Sequence, residues 1–295
     1  MNELFYKWIV TLSRRLGLWV FHTYTWIVAT GFFFLFPSRV AVCVRFYRVL
    51  FPDRNLLHHL WCTWRQYHNF TTIFLDRFLL QESGDISYTS EGWEYLEDTL
   101  SHKTGGIIVM SHMGNWEVAA HLFKQKKQNI PLLLYMGAKH KERMERIQKE
   151  SLFHSGIKII ALDQDNNFPY GIIEGINFLK AGGFVSLTGD MLWHNNQRNV
   201  SVRFLNHEVK LPETPHILAL LSGVPLFIFF AFRAGHRQYH FSVTEPIYIR
   251  TASRSDRKES VRKSAQKYAC LLEKALRQHP LEWYHFSPFL GKRLK

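Results

Sequence analysis

Residues 107–118 read IIVMSHMGNWEV, and the rest of the chain is organised around them. The run Ile107-Ile108-Val109-Met110 has the length and β-branching of a buried strand, and Trp116-Glu117-Val118-Ala119-Ala120 opens a helical pattern. Ser111-His112-Met113-Gly114-Asn115 leaves room only for a tight turn between them, so the stretch predicts strand, turn and helix. His112 then stands at the strand's end with Glu117 five residues on. Along one continuous helix that step rotates about 500° and leaves the two side chains apart. With Gly114 breaking the path and Glu117 in the first helical turn, the carboxylate can face back to the imidazole, as suits a general base held by an acid. The helix start adds N–H groups for an oxyanion or a phosphate. On spacing alone a helix cap and a surface pair explain the same residues, so the neighbours have to decide.

From residue 106 onward strands and helices alternate. Strands are expected at 106–110, 130–135, 157–161, 183–188, 200–204, 224–232 and 240–245, and helices at 116–127, 141–153, 170–180, 215–221 and 256–279. The fold class is therefore α/β: a central, mostly parallel sheet flanked by helices, with reactive loops at the carboxyl ends of its strands. His112 follows one strand and Asp190 another, so both can reach the same edge. No Pro/Gly/Ser-rich linker and no repeat divides the chain. The expected organisation is a membrane-anchoring segment over 1–40 and a single α/β domain over 41–295.

The chain has 295 residues, is 46% hydrophobic and carries 37 Lys+Arg against 24 Asp+Glu, a net charge of +13 that calls for an anionic partner. Nucleic acid, anionic headgroups and an acidic carrier protein all meet that description. Nine Trp and 15% aromatic residues favour a membrane interface over nucleic acid. Cys43, Cys62 and Cys270 are odd in number and scattered, which suits a reducing compartment and gives neither a disulfide framework nor a zinc ribbon.

Residues 16–36, LGLWVFHTYTWIVATGFFFLF, carry no formal charge and could cross a bilayer of about 30 Å as a helix. Arg14 and Arg15 precede them and Arg39, Arg45 and Arg48 follow, which leaves orientation open. His22, Thr23, Tyr24 and Thr25 suit an interfacial helix equally well, and a buried core helix is the soluble alternative. Over 54–80, Leu57, Trp61, Trp64 and His68 recur at helical spacing; such a face either packs in a core or rests on headgroups.

A second constellation occupies 182–203, GGFVSLTGDMLWHNNQRNVSVR. Asp190 could seat a substrate hydroxyl or cap its loop. Arg198 and Arg203 could fork onto the phosphates of an anionic lipid, with plain surface solvation as the alternative. His112, His121, Asp190 and His194 are ligand types, but the two-His helical spacing of zinc proteases is absent, so no metal is expected.

With these features together, the chain resembles the lipid A biosynthesis (lauroyl/myristoyl) acyltransferases of the lysophospholipid acyltransferase superfamily. His112-Met113-Gly114-Asn115-Trp116-Glu117 is similar to the family's His-x-x-x-x-Asp/Glu signature, and Thr188-Gly189-Asp190-Met191 to its acidic segment after a central strand. Leu211-Pro212, the stretch LALLSGVP over 218–225 and Trp283-Tyr284-His285-Phe286 resemble later blocks in the same order. The chain departs from the family where Tyr-Arg is replaced by Tyr135-Met136, and where a terminal His-Arg-Arg-Phe is replaced by His285-Phe286-Ser287-Pro288-Phe289.

The resemblance implies a glycerol-phosphate-acyltransferase-like fold at the cytoplasmic face of a bacterial inner membrane. It implies a donor thioester of acyl carrier protein or coenzyme A, an anionic glycolipid acceptor, and no cofactor. His112 is then the base, Glu117 the group fixing its tautomer, and Asn115 and Asp190 contacts for the reacting groups, with Arg198 and Arg203 on the headgroup. Ser111 as an acylated nucleophile ranks below direct attack by the acceptor. A pocket floor from Trp61, Trp64 or Phe74 would set chain length. A noncatalytic lipid-binding protein, or an esterase using the same base on water, would fit the same residues.

Overall fold

The computed structural model describes residues 11–13, 15–82, 87–120, 130–137, 157–162, 168–194, 196–235 and 237–294. An N-terminal layer comprises helices α1 (Leu18–Leu35), α2 (Pro37–Leu50) and α3 (Leu56–Glu82). β1 (Ser87–Glu91), α4 (Trp93–Ser101), β2 (Gly106–Met110), β3 (Leu132–Gly137), β4 (Lys158–Leu162), α5 (Phe168–Lys180) and β5 (Phe184–Thr188) follow. The chain continues with β6 (Asn199–Phe204), β7 (His207–Pro212), α6 (Thr214–Ser222), β8 (Leu226–Gly235), β9 (Gln238–Val243) and α7 (Arg257–Gln278). Residues 116–120 are also helical.

Seven strands form one sheet in the order β1-β9-β8-β2-β5-β3-β4, and β6 and β7 form a separate hairpin. All pairings in the large sheet are parallel except β8 with β9. The α/β class with a mostly parallel sheet and an apolar N-terminal helix is therefore observed. β2 lies at the centre, and all five of its residues are buried, as a parallel strand covered on both faces requires. Its side chains alternate between two cores. Ile107 and Val109 pack with Leu218 of α6 and Tyr268 of α7, whereas Ile108 and Met110 pack with Leu96 of α4 and Val118.

The expected strands and helices at described positions are present, with ends shifted by a few residues. β1, β7, α2 and α4 are additional. The 40/41 boundary drawn from hydropathy falls inside α2. The helix expected at 141–153 and the end of the one starting at 116 lie outside the described residues, as do Arg14 and His121.

His216 of α6 shows how tightly the helical face of the sheet is sealed. It is fully buried with Nδ1 2.9 Å from Ser264 Oγ of α7, and burial pushes its imidazole down to about 4. The unfolded chain therefore takes up a proton near the usual histidine pKa while the fold does not. Stability from this residue is complete above about pH 6.5 and drains as pH falls toward 4, by roughly 3 kcal/mol in all. Urea midpoints measured across that window should fall more steeply for the wild type than for His216→Gln.

Candidate active site

β2 and β5 are parallel neighbours in a register that pairs Met110 with Thr188. His112 and Asp190 each stand two residues beyond that pair, so the sheet itself sets them side by side. The Gly189 N–H donates to the Met110 carbonyl at 2.8 Å and carries the pairing past the strand ends. His112 Nδ1 lies 2.9 Å from Asp190 Oδ1, and the His112 backbone N–H donates to Oδ2 at 2.8 Å. The Trp283 indole N–H donates to the same Oδ2 at 2.8 Å.

A carboxylate only accepts, so Nδ1 carries the ring proton and Nε2 is the nitrogen left to take one from a ligand. The His112 side chain is 21% exposed and that of Asp190 is 0% exposed, which makes the imidazole reachable and its partner not. Burial alone would push the Asp190 carboxyl up. The His112 charge and hydrogen bond, helped by His285 and Trp283, overcome it and bring the carboxyl down to about 2.

The turn that presents His112 is clamped from three sides. Gly114 has φ 65°, and a Cβ there would collide with the Ala231 carbonyl of β8. Gly114 N–H donates to the Glu282 carbonyl at 2.8 Å, Asn115 N–H to Ala231 at 2.9 Å, and Tyr284 N–H to the His112 carbonyl at 2.8 Å. Asn115 Oδ1 accepts the Val118 N–H at 3.3 Å and so caps the following helix. Its Nδ2 donates to the Tyr239 hydroxyl at 3.2 Å, which in turn donates to Asp76 of α3. Burial and the Asp76 charge push the Tyr239 phenol up, so it remains a donor. Arg233 approaches the other Asp76 oxygen at 3.5 Å. Gly114→Ala should therefore destabilise the fold by about 1–3 kcal/mol, read from chemical denaturation, through strain at a left-handed position.

The structure places the expected site residues unequally. His112 and Asp190 come together. Glu117 is buried in the first turn of the helix from 116, and the carboxylate at His112 Nδ1 is that of Asp190. The β2–β5 register delivers Asp190 to the ring, whereas the Asn115 cap carries the chain away from it into the helix. Asn115 is buried, with its side chain engaged in that cap. Arg198 is exposed before β6, and Arg203 is exposed on β6 with its backbone paired to Gln266 at 2.8 Å. The Ser111 hydroxyl is buried and accepts the Met113 N–H at 3.2 Å. Trp64 turns toward α1, its ring 6.3 Å from that of Trp26.

Two cavities meet at this edge. One of about 610 Å³ opens beside Asp190 and is bordered by Trp193, Lys210, His285, Phe289 and Lys292. The other, of about 390 Å³, lies against α2 with Arg45, Phe46, Arg48 and His207 in its wall. Neither Arg198 nor Arg203 lines them. Segment 287–291 borders both cavities, and the His285 ring lies 6.1 Å from that of His112. Burial lowers the His285 imidazole, against the opposing charge of Asp190. Trp283, His285, Lys210 and Lys292 have no role assigned from sequence alone; the aromatic-His stretch at 283–286 is the one signal for Trp283 and His285, and nothing in the pattern singles out the two lysines.

A strand-end histidine backed by a buried acid, beside a cavity of mixed polarity, suits proton abstraction from a hydroxyl. A sequence model described as bacterial lipid A biosynthesis acyltransferase matches residues 67–292, most of the chain and both members of the pair. The chain belongs to the bacterial lipid A biosynthesis acyltransferase family. No curated protein sequence matches it. Membership in this acyltransferase family makes acyl transfer on lipid A-type substrates the chemistry to be explained, with an acyl donor and a lipid acceptor as its partners. The matched segment of the acyltransferase begins inside α3, so α1 and α2 lie outside it.

Proposed function

We propose that the chain is a membrane-bound O-acyltransferase. It moves a fatty acyl group from the thioester of acyl carrier protein or coenzyme A to a hydroxyl of a lipid A precursor or related glycolipid, at the cytoplasmic face of the bacterial inner membrane. The observation that carries this reading is the His112–Asp190 contact beside the 610 Å³ cavity in a chain of this family.

His112 Nε2 takes the proton of the acceptor hydroxyl as its oxygen attacks the thioester carbonyl. The tetrahedral intermediate collapses with cleavage of the C–S bond, and the imidazolium returns the proton to the leaving thiolate. Asp190 holds the ring and stabilises the imidazolium. The N–H groups of Gly114, Asn115 and Val118 are already engaged, and the Trp116 N–H at the helix start stabilises the oxyanion. Glu117 is a second carboxylate of the site, favourable at the positive end of that helix. Burial of the Ser111 hydroxyl supports direct transfer over an acyl-enzyme. Lys210 and Lys292, which line the cavity together with Glu208, and Arg198 and Arg203 on the outer surface supply cations for an anionic acceptor.

The experiment offers labelled acyl groups on acyl carrier protein and on coenzyme A to the purified protein, with a Kdo-bearing lipid A precursor or a phospholipid mixture as acceptor. Acylation of the precursor from either donor is the expected result and also identifies the donor. Acylation of phospholipid alone would keep the chemistry and overturn the acceptor. Release of free fatty acid with neither acceptor labelled would make the protein a hydrolase.

A further inference from the structure

α1 is the one helix among the described residues long and apolar enough to cross a membrane. Its 18 residues span about 27 Å, slightly short of a hydrocarbon core of about 30 Å. It does not stand clear of the domain. Trp26 meets Trp64 and His68 of α3 with ring centroids 6.3 and 5.4 Å apart. The Thr30 hydroxyl lies 3.2 Å from His68 Nε2, and the Phe33 ring 6.4 Å from that of Tyr67. Ala29 is buried in the same cluster.

The part of α3 that receives α1 is itself tied to the active site. Gln66 donates to the Trp283 carbonyl and Asn69 to that of Leu281, and Trp283 holds Asp190. If the middle of α1 lay at the centre of a bilayer, this part of α3 would lie at the same depth. Exposed Arg65 would then face hydrocarbon, and the His112–Asp190 pair would follow α3 inward. Charge at that depth is costly, and neither partner could reach the site.

The exposed side of α1 points to a different placement. Trp19, Trp26, Ile27 and Phe34 fall within an arc of about 100° on the helix and are all exposed, while Phe32 and Leu35 near its C-terminal end are exposed outside that arc. His22 and Thr23 are exposed too, which suits headgroup depth. On α3, Leu57, Trp61, Trp64 and His68 form one stripe that Trp26 joins, and its outer end is bare: Leu57 is 74% and Trp61 49% exposed. Arg15, Arg54 and Arg65 are exposed near these apolar groups, so the face is basic where it is apolar.

Resting on the membrane-bound reading above, we propose that α1 lies in the surface of an anionic phospholipid bilayer instead of crossing it. Its exposed arc, together with Leu57 and Trp61 of α3, enters the headgroup–acyl boundary. The domain then sits on the leaflet with its site reachable by a lipid from the membrane and a thioester from the water.

Depth profiling tests this on the full chain. Single cysteines replace Trp19, Thr23, Ile27 and Phe34 on a Cys270→Ser background, Cys43 and Cys62 being buried. Each carries a fluorophore, in phosphatidylglycerol-containing vesicles with quenchers placed shallow or deep. One shallow depth is expected for all four labels. A deep maximum at 23 and 27 with shallow ends would establish a spanning helix and overturn it. Failure to bind the vesicles at all would overturn the membrane-bound reading, which distinguishes the two failures. Leu57→Ser combined with Trp61→Ser provides a second reading: vesicle partitioning should fall about tenfold or more as buried apolar area is lost. A spanning α1 would hold the double variant to the membrane unchanged.

Discussion

His112→Ala should reduce the single-turnover rate of acyl transfer by about 10²–10⁴-fold, the usual contribution of a positioned general base. Binding of donor and acceptor should change little, because the imidazole acts on the proton in flight and lines neither cavity. The loss should therefore appear in kcat rather than KM. The fold should survive, since the ring is partly exposed and the His112 backbone keeps its bonds to Asp190 and Tyr284. Titrating acceptor at saturating donor in wild type and variant separates the two parameters. An unchanged kcat would remove His112 from the chemistry.

Asp190→Asn should have an effect of similar size, for a reason specific to this carboxylate. Asp190 receives three donors: the His112 backbone N–H, His112 Nδ1–H and Trp283 Nε1–H. Asparagine has one acceptor oxygen. If that oxygen faces Nδ1–H, its NH₂ meets the other two donors; if it turns around, it presses the His112 ring toward the wrong tautomer. We expect kcat to fall by about 10²–10⁴-fold, in line with loss of an oriented base. A stability cost of about 1–3 kcal/mol should accompany it for the unsatisfied groups.

The stability difference should itself depend on pH. Asp190 stays ionised in the fold down to about 2, whereas in the unfolded chain it protonates near its ordinary 3.8. Its ionic contribution is complete above about pH 4 and drains as pH falls toward 2. Wild type and variant should therefore converge in denaturation midpoint on acidification. A gap that stays constant would mean that the carboxylate's charge contributes nothing to the fold.

The strand and helix that present His112 were legible because local chemistry agrees with the fold. Residues 107–110 are apolar at every position because β2 is covered on both faces, and Asn115 is where a helix cap belongs. β1 was not legible, because SYTSE at an edge of the sheet shows no apolar alternation. α2 was read only as the basic flank of the apolar segment, from Arg39, Arg45 and Arg48, whereas Pro37 begins a helix there. The β6–β7 hairpin turns through Leu205 and Asn206 with φ of 46° and 60°, and a leucine in that position hides the usual Asn-Gly signal.

Within the site, proximity in sequence favoured Glu117 as the partner of His112. The actual contact comes from residues 78 apart through strand register. Register is a property of two paired strands, and the local pattern of either strand alone does not contain it. Trp283 stood out only as part of a terminal aromatic block, with its contact to Asp190 hidden for a related reason. It reaches Asp190 only after the last helix has brought the terminal segment back across β8.

The most direct test of the account is the tautomer of His112. Nitrogen-15 spectra of the histidine-labelled enzyme in detergent, assigned by difference from His112→Gln and recorded with the imidazole neutral, report which ring nitrogen bears the proton. A protonated Nδ1 and a bare Nε2 are expected, with that preference lost in Asp190→Asn. A neutral ring protonated at Nε2 in the wild type would contradict it, because such a histidine has no lone pair at Nε2 to receive the acceptor's proton.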